Sequence, residues 1–332
     1  MQQDGRTDGC RPVLSPGDQN NLRNAQKGAK MSGKAKAKKG GLSLTVRQNL
    51  IGYSFILPNF IGFFIFIFIP VMFSLVLSFS SWDGFNEIKF NGLNNFIDIF
   101  HDSVFLGAIW KTAYFSFFTV IFSMLASLGL ALLLNQKIKA RGFFRCALFF
   151  PYVASVVAVS VVFNAMLQPD YGPVNEFLRF IGISNPPGWL ASTDWVIPGL
   201  IIVNVWRNMG YFMIIYLAGL QNIDQSLYEA AEIDGAKGWA RFSKITWPLL
   251  SPSTFFVVMM LIINSFKVFD LVYLMTQGGP GTASTMLSQY IYNQAFISWD
   301  YGKSSAAAMI LFLIVALLTV FQFKAEKKFV NY

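Results

Sequence analysis

The stretch Leu50–Phe79, LIGYSFILPNFIGFFIFIFIPVMFSLVLSF, is a run of thirty residues without one charged side chain. About twenty predominantly apolar residues are enough for a helix to cross the hydrocarbon core of a bilayer. Pro58 and Pro70 lie inside the run, and proline is tolerated in a membrane-spanning helix where neighbouring groups satisfy the carbonyl that it frees. The stretch therefore predicts a first transmembrane span at about residues 50–79.

Five more apolar runs follow, separated by polar segments, and 54% of the 332 residues are hydrophobic while only 13% are charged. Soluble domains carry charged residues at about a quarter of their positions. This composition and the lengths of the runs predict an all-α integral membrane protein with a bundle of six spans. The five further spans are predicted at about residues 109–134, 147–167, 196–217, 253–276 and 304–323.

Lysine and arginine are distributed unevenly among the polar segments. Ten of the 26 precede Leu50, and the segments after the second, fourth and sixth runs hold four, three and three more. The three intervening segments hold two, Lys89 and Arg179, with Lys111 and Lys303 at their boundaries. Cytoplasmic segments of membrane proteins are enriched in these residues, so both termini are expected in the cytoplasm. This membrane pattern explains the net charge of +9, and we do not expect nucleic-acid binding.

The two ends of the chain are polar. Residues 1–49 lack apolar periodicity and are expected to form a disordered, basic cytoplasmic tail. Met31 could open a shorter chain, and we expect residues 1–30 to be an upstream extension that is not native to the protein. The membrane domain is then 50–325, and 326–332 is a short cytoplasmic tail.

Residues for covalent chemistry or metal binding are scarce. The chain has a single histidine, His101, and two distant cysteines, Cys10 and Cys146, which offer no metal-ligand spacing. The segment Gly302-Lys303-Ser304 resembles the end of a phosphate-binding loop, but the position that requires glycine holds Ile297. We therefore expect no metal, no bound cofactor and no nucleotide site, and the chain is not expected to be an enzyme.

The polar segment 218–252, after the fourth run, is predicted to fold into a compact helical knob. Its residues 228–248 read YEAAEIDGAKGWARFSKITWP. Asp224 is a suitable N-cap for a helix that ends near Asp234, and Gly235 permits the left-handed turn that follows. A second short helix is predicted to reach Ile245, and Pro248 to stop it before the fifth span.

This segment resembles the EAA motif of permease subunits in ATP-binding-cassette (ABC) importers, which has a Glu-Ala-Ala, a glycine six residues after the glutamate, and an Ile-x-x-Pro ending. Trp247 replaces the leucine that is common before the proline. Other stretches, among them Phe149-Phe-Pro-Tyr152, resemble the carbohydrate-uptake branch, and the likeness covers about residues 50–325, as in the first of two paired permeases. The matching motif positions are Glu229, Ala230, Ala231, Gly235, Ile245 and Pro248.

The resemblance implies the transmembrane domain of a type I ABC importer, in a bacterial cell membrane. The knob would be a coupling helix that docks on a separate ATPase, with Glu229 meeting the ATPase and Ala230 and Ala231 allowing close approach. The implied partners are a second homologous permease, a dimeric ATPase that binds the ATP, an extracellular or periplasmic solute-binding protein, membrane lipid, and an oligosaccharide or other sugar as cargo.

Several polar side chains lie inside predicted spans, where a charge usually faces a cavity or a partner. Lys267 and Asp270 are expected to share one helix face, because they are three residues apart. They are either a neutralised structural pair or part of an aqueous sugar path. The candidates for the path are Arg207, Asn208, Asn264, Lys267 and Asp270, flanked by the aromatic residues Trp206, Tyr211, Phe266 and Phe269.

Two other functions stay open at this stage. The same importer architecture could carry a peptide or a phosphorylated polyol such as glycerol phosphate. A stand-alone secondary transporter would often show inverted repeats and intramembrane carboxylates, whereas Asp270 is the only clear intramembrane acid in the sequence and no repeat is evident. The identity of the sugar does not follow from the sequence.

Overall fold

The computed structural model describes residues 44–136 and 138–329. The predictions for residues 1–43, including the extension at 1–30, lie outside the described residues, as does the end of the tail 326–332. The chain divides into two compact units, one ending at Ile67 and one beginning at Phe68.

The described chain is almost entirely helical, with one two-stranded antiparallel ribbon. Single π-helical turns lie at Phe64–Phe68, Phe242–Thr246 and Asn293–Ile297, and a 3₁₀ turn lies at Trp189–Ala191. In chain order the elements are α1 (Leu44–Phe63), α2 (Ile69–Ser78), β1 (Ser80–Ser81), β2 (Lys89–Phe90), α3 (Asn94–His101), α4 (Ser103–Asn135), α5 (Arg141–Val153), α6 (Val156–Met166), α7 (Pro173–Phe180), α8 (Val196–Gln221), α9 (Gln225–Ile233), α10 (Gly238–Arg241), α11 (Trp247–Leu249), α12 (Ser251–Phe266), α13 (Asp270–Met275), α14 (Leu287–Tyr292) and α15 (Tyr301–Phe329).

Four helical stretches are long and apolar enough to cross a bilayer, and two bent pairs bring the number to six if each pair is one span. The first pair, α5 with α6, is bent by 94°, and the second, Gly238–Leu249 with α12, is bent by 65°. The four continuous candidates are Gln48–Ser78, Ser103–Asn135, Val196–Gln221 and Tyr301–Lys327.

Two of the predicted spans differ from the structure in shape. The run 147–167 is a bent pair, because Ala154 and Ser155 have extended backbone between α5 and α6. The run 253–276 is also interrupted, since α12 ends at Phe266 and α13 begins only at Asp270. The prediction that Lys267 and Asp270 share a helix face was therefore wrong, and no ion pair of 4.0 Å or less joins them.

In the first unit, α1 continues through Pro58, and its described side chains are almost all exposed. A helix that is apolar on every side needs an apolar environment, and a bilayer supplies it. Its first turn has no acidic residue and its last turn no basic residue.

The second unit is organised around α4 and α8, whose side chains form most of one buried apolar cluster and part of a second. A stripe of small polar residues on α4 is buried, and small side chains let membrane helices approach closely. Gly210 has the same role in α8, because a Cβ there would overlap the carbonyl oxygen of Leu148 in α5. The buried stripe on α4 comprises Thr112, Ser116, Thr119, Ser123 and Ser127.

The end of the unit remote from the knob contains its longest connections, and these are ordered by side-chain hydrogen bonds to the backbone. Asn175 in α7 is 1% exposed, donates to the carbonyls of Pro169 and Pro187 at 3.0 Å each, and accepts from Trp189 Nε1 at 2.6 Å. One amide side chain thereby ties three parts of the connection between α6 and α8 together.

Candidate functional site

The knob, residues 224–249, is a folded structure built from α9, α10, a π-helical turn and α11. Its start is as predicted: the Asp224 carboxylate accepts from the backbone N–H of Ser226 at 2.9 Å and caps α9. This hydrogen bond stabilises the ionised carboxylate and lowers the pKa of Asp224. The predicted left-handed turn is also present, since Gly235 has φ +74° and follows α9 directly.

Two side-chain contacts join parts of the knob to each other. The Tyr228 hydroxyl lies 3.0 Å from the Thr246 hydroxyl, which joins α9 to the π-helical turn. Arg241 and Glu232 form an exposed ion pair at 3.7 Å, which contributes little by itself. The second helical segment extends beyond Ile245, through Pro248 to Leu249, and only there does the chain bend by 65° into α12. Pro248 therefore does not stop this helix at the predicted position.

The motif residues do not all face outward. Glu229, Ala230 and Gly235 are exposed, and Ile245 and Pro248 are partly buried. Ala231 is only 9% exposed, and its carbonyl accepts from the Ala236 N–H at 2.8 Å. Its small side chain therefore packs inside the knob, and the close approach of a partner at Ala230 and Ala231 stays a prediction.

Two large apolar residues of the knob, which sequence reasoning missed, are almost fully exposed. Ile233 is 88% exposed at the end of α9, and Trp239 is 78% exposed in α10. The available sequence signal was an isoleucine beside the turn glycine and a tryptophan in an otherwise basic segment. Large apolar side chains exposed on a polar segment are typical of a protein-docking surface.

Inside α8, Arg207 packs against aromatic side chains. Its guanidinium lies 5.9 Å from the centre of the Tyr152 ring, and this ring stacks on Tyr211 at 4.4 Å. Such a cation–π contact stabilises the charge only in part. The Nε atom of Arg207 is buried without a hydrogen-bond partner, and no carboxylate of the described chain lies within 4.0 Å of the guanidinium. The sequence indicated Arg207 and Tyr211 as path residues, but it did not indicate that Tyr152 packs against them.

The other four path candidates lie in α8, beside Arg207, and around the break between α12 and α13. The Asn208 amide donates to the carbonyl and the side-chain oxygen of Asn204, one turn earlier in α8, at 2.8 and 2.9 Å. Asn264, Lys267 and Asp270 are exposed, at the end of α12 and at the start of α13. Within the described residues, no hydrogen bond or ion pair joins Arg207 or Asn208 to these three. The structure therefore places two candidates on α8 and three around the break between α12 and α13, without direct contact between the two groups.

Neither part of the site offers a metal centre, since the described residues contain no group of three or more His, Cys, Asp or Glu side chains that could hold a metal ion. The knob can bind another protein, and the interior can offer hydrogen bonds, one cation and ring faces to a polar solute.

Known proteins that are similar to this chain include transport system permeases. The chain is 38% identical over 291 residues to the lactose transport system permease protein LacF of Rhizobium radiobacter, covering 86% of this chain and 97% of that protein. It is 33% identical to the sn-glycerol-3-phosphate transport system permease protein UgpA of Agrobacterium fabrum over 295 residues, covering 87% and 99% of the two chains.

Among solved structures, the chain resembles one from a bacterial alginate ABC transporter, crystallised in complex with an alginate pentasaccharide-bound periplasmic protein. The TM-score is 0.75 at 25% identity, and the match covers 86% of this chain and 96% of that one. The fold is thus that of the transmembrane domain of a type I ABC importer, and the chain is a multi-pass membrane protein.

A family model of transporter subunits matches residues 114–330, a region that contains the knob, the interior of α8 and the interrupted helix pair α12 and α13. With the matching relatives and the shared fold, this shows that the chain belongs to the family of binding-protein-dependent transport system inner membrane components.

Proposed function

We propose that the chain is the permease subunit of an ATP-driven importer of oligosaccharides or other sugars. The observation that carries the proposal is the folded knob with its exposed Ile233 and Trp239, in a chain whose relatives include a lactose permease. The chain would work with a second permease, a pair of ATPase subunits that bind and hydrolyse ATP, and a solute-binding protein. Both termini and the knob would lie in the cytoplasm, as the distribution of lysine and arginine indicates.

In this function the knob transmits ATP-driven movement to the membrane helices. Glu229 and Ala230 are exposed on α9 beside Ile233, so one helix face offers a charge, a small side chain and an apolar anchor to the ATPase. Gly235 reverses the chain, and the segment that ends at Leu249 leads directly into α12. A displacement of the knob therefore reaches the membrane helices through a short ordered connection, and it would bias the bundle between outward-facing and inward-facing states.

The solute path would follow α8 and the break between α12 and α13. Arg207 is a cation without a carboxylate partner in the described chain, and a charge inside a membrane is costly unless a partner or water meets it. Hydroxyl groups of a sugar are suitable partners for Arg207 and Asn208. At the break, Asn264, Lys267 and Asp270 are exposed and free of mutual ion pairs, so they can meet a solute or the second permease.

Glycerol phosphate is the second candidate cargo. The relative UgpA is named for its transport, and the unpaired guanidinium of Arg207 suits a phosphate group, which arginine binds through paired hydrogen bonds. The two candidate cargoes are separated by measuring which of them the reconstituted complex accumulates.

The test is uptake by the whole complex. The tagged chain is purified from its host's membranes in mild detergent, its partners are identified by mass spectrometry, and the complex is reconstituted in vesicles with its binding protein. We expect ATP-dependent uptake of at least one saccharide among lactose, maltose, trehalose and alginate oligosaccharides. Recovery of the chain without a second permease and an ATPase, or uptake of glycerol phosphate alone, would contradict the proposal.

The path is tested with Arg207→Leu in the same vesicles. We expect a loss of uptake at normal complex levels, while Arg179→Leu, an arginine of α7 outside the path, retains it. Undiminished uptake by Arg207→Leu would remove this residue from the path.

A further inference from the structure

Six aromatic rings form an unbroken line through the part of the second unit remote from the knob. Successive ring centres lie 5.1 Å apart at Trp82–Tyr301, 6.5 Å at Tyr301–Phe296 and 5.1 Å at Phe296–Tyr292. The line then continues to Tyr273 and Phe269, each 5.1 Å from Tyr292. We call this line the aromatic ladder, and its members are Trp82, Tyr301, Phe296, Tyr292, Tyr273 and Phe269.

The ladder is assembled from three separate segments, and its outer part is held in position by the backbone. Trp82 Nε1 donates to the Asn86 carbonyl at 2.9 Å, and the Tyr301 N–H donates to the Trp82 carbonyl at 3.0 Å. Gly84, with φ +88°, leaves room for the Tyr301 ring, which a Cβ would touch at 2.8 Å. The rings are therefore preorganised, which lowers the entropic cost of binding a ligand on their faces.

Both ends of the ladder meet polar groups. At the outer end, Trp82 is also part of the wall of a cavity of about 670 Å³, whose other lining residues are Ser81, Asp83, Asn86, Glu87 and Lys89. At the inner end, Phe269 lies between Lys267 and Asp270, in the break that separates α12 from α13. The ladder thus connects a hydrogen-bonding cavity with the polar residues of the proposed solute path.

This arrangement differs from an interfacial aromatic belt, in which each ring separately anchors the protein at the headgroup level of the bilayer. Here consecutive rings touch, and two of their hydroxyls, on Tyr273 and Tyr292, lie 3.5 Å apart within the line. No ring of the ladder is fully buried, and Phe296 is 57% exposed. The rings therefore have free surface that a solute can cover.

We infer that the aromatic ladder is a saccharide-conducting surface, which receives the sugar at the cavity beside Trp82 and passes it along ring faces to the break at Phe269. The inference rests on the proposed function and specifies its substrate contacts. The face of an aromatic ring is electron-rich and attracts the C–H edges of a pyranose, while the hydroxyls of the sugar bond to polar groups around the line. The spacing of the rings is comparable with the length of one sugar unit, so an oligosaccharide can leave one ring as it reaches the next.

The experiment uses the reconstituted complex and the saccharide, from the four classes above, that the unaltered importer accumulates. Phe296→Leu removes one exposed ring from the middle of the ladder, and Phe180→Leu is the matched control, because Phe180 is an 86% exposed phenylalanine outside it. At low saccharide concentration we expect Phe296→Leu to lower uptake roughly two- to tenfold, which is the contribution of one favourable ring contact. Phe180→Leu should leave uptake unchanged.

Stimulation of ATP hydrolysis by the binding protein is measured on the same samples. It should stay normal in Phe296→Leu, because the ladder contacts sugar and not the protein partners. Equal uptake by Phe296→Leu and Phe180→Leu would overturn the inference. A parallel fall of uptake and ATPase stimulation in an intact complex would also overturn it, and would assign the rings to the docking of the binding protein. If the unaltered importer accumulates no saccharide, the proposed function itself fails.

Discussion

Removal of the Ile233 side chain should weaken the attachment of the ATPase to the permease while leaving the permease folded. Ile233 is 88% exposed at the end of α9, so its truncation removes almost no contact within this chain. Ile233→Ala deletes three carbon atoms, each worth about 0.8 kcal/mol when buried. If the ATPase covers the exposed part of the side chain, the loss is about 2 kcal/mol, or roughly thirtyfold in the dissociation constant.

The assay is a titration of the purified ATPase against the permease pair in detergent, followed by binding-protein-stimulated ATP hydrolysis at limiting ATPase. Ile181→Ala is the matched control, since Ile181 is 55% exposed and follows α7, away from the knob. We expect the affinity to fall only in Ile233→Ala, with an unchanged thermal unfolding profile in both variants. An affinity for the ATPase within about threefold of the unaltered chain, less than one buried methylene is worth, would refute the docking of Ile233.

Two further predictions concern packing and pH. Gly210→Val should destabilise the helix pair α5 and α8 by about 1–3 kcal/mol through overpacking, which a lower melting temperature would report. Gly129→Val is the control and should leave the melting temperature unchanged, because Gly129 has open space around it. The N-cap residue Asp224 is a carboxylate whose pKa is lowered from 3.8, so its stabilisation of α9 is present above that value and is lost as the pH falls through the lowered pKa. The rate of amide hydrogen exchange in α9 should rise as this stabilisation is lost. Asp224→Asn, which caps the helix without titrating, should abolish the pH dependence of the exchange rate. An unaltered pH profile in that variant would assign the effect to another group.

The class of the protein and the local features of the knob could be predicted from the sequence because their causes are local. A long uncharged run such as 50–79 has only one suitable environment, whatever it packs against. The cap at Asp224 and the reversal at Gly235 likewise depend on a few neighbouring residues, and both were found at the predicted positions. The resemblance to importer permeases was based on such motif residues, and the family model confirmed it.

The break after Phe266 could not be predicted, because no proline or glycine marks it and hydrophobicity does not show where a helix stops hydrogen bonding. The helix register implied by the pattern placed Lys267 and Asp270 on one face, and the interrupted backbone removed that relationship. The bend between α5 and α6 could not be predicted either, because neither Ala154 nor Ser155, where the helix is interrupted, is a proline or a glycine.

Which side chains are exposed, and which residues distant in the sequence are in contact, could be read only from the folded chain. Ala230 and Ala231 are identical in sequence terms, yet the way α9 packs on the rest of the knob exposes the first and buries the second. The pairing of Arg207 with Tyr152 joins residues more than fifty positions apart. Hydrophobicity, charge and capping act over short distances, so the amino-acid order alone predicts a membrane protein with six apolar runs and a helical knob. Which side chains face a partner, a solute or the core depended on how distant helices pack, and only the folded chain contains that information.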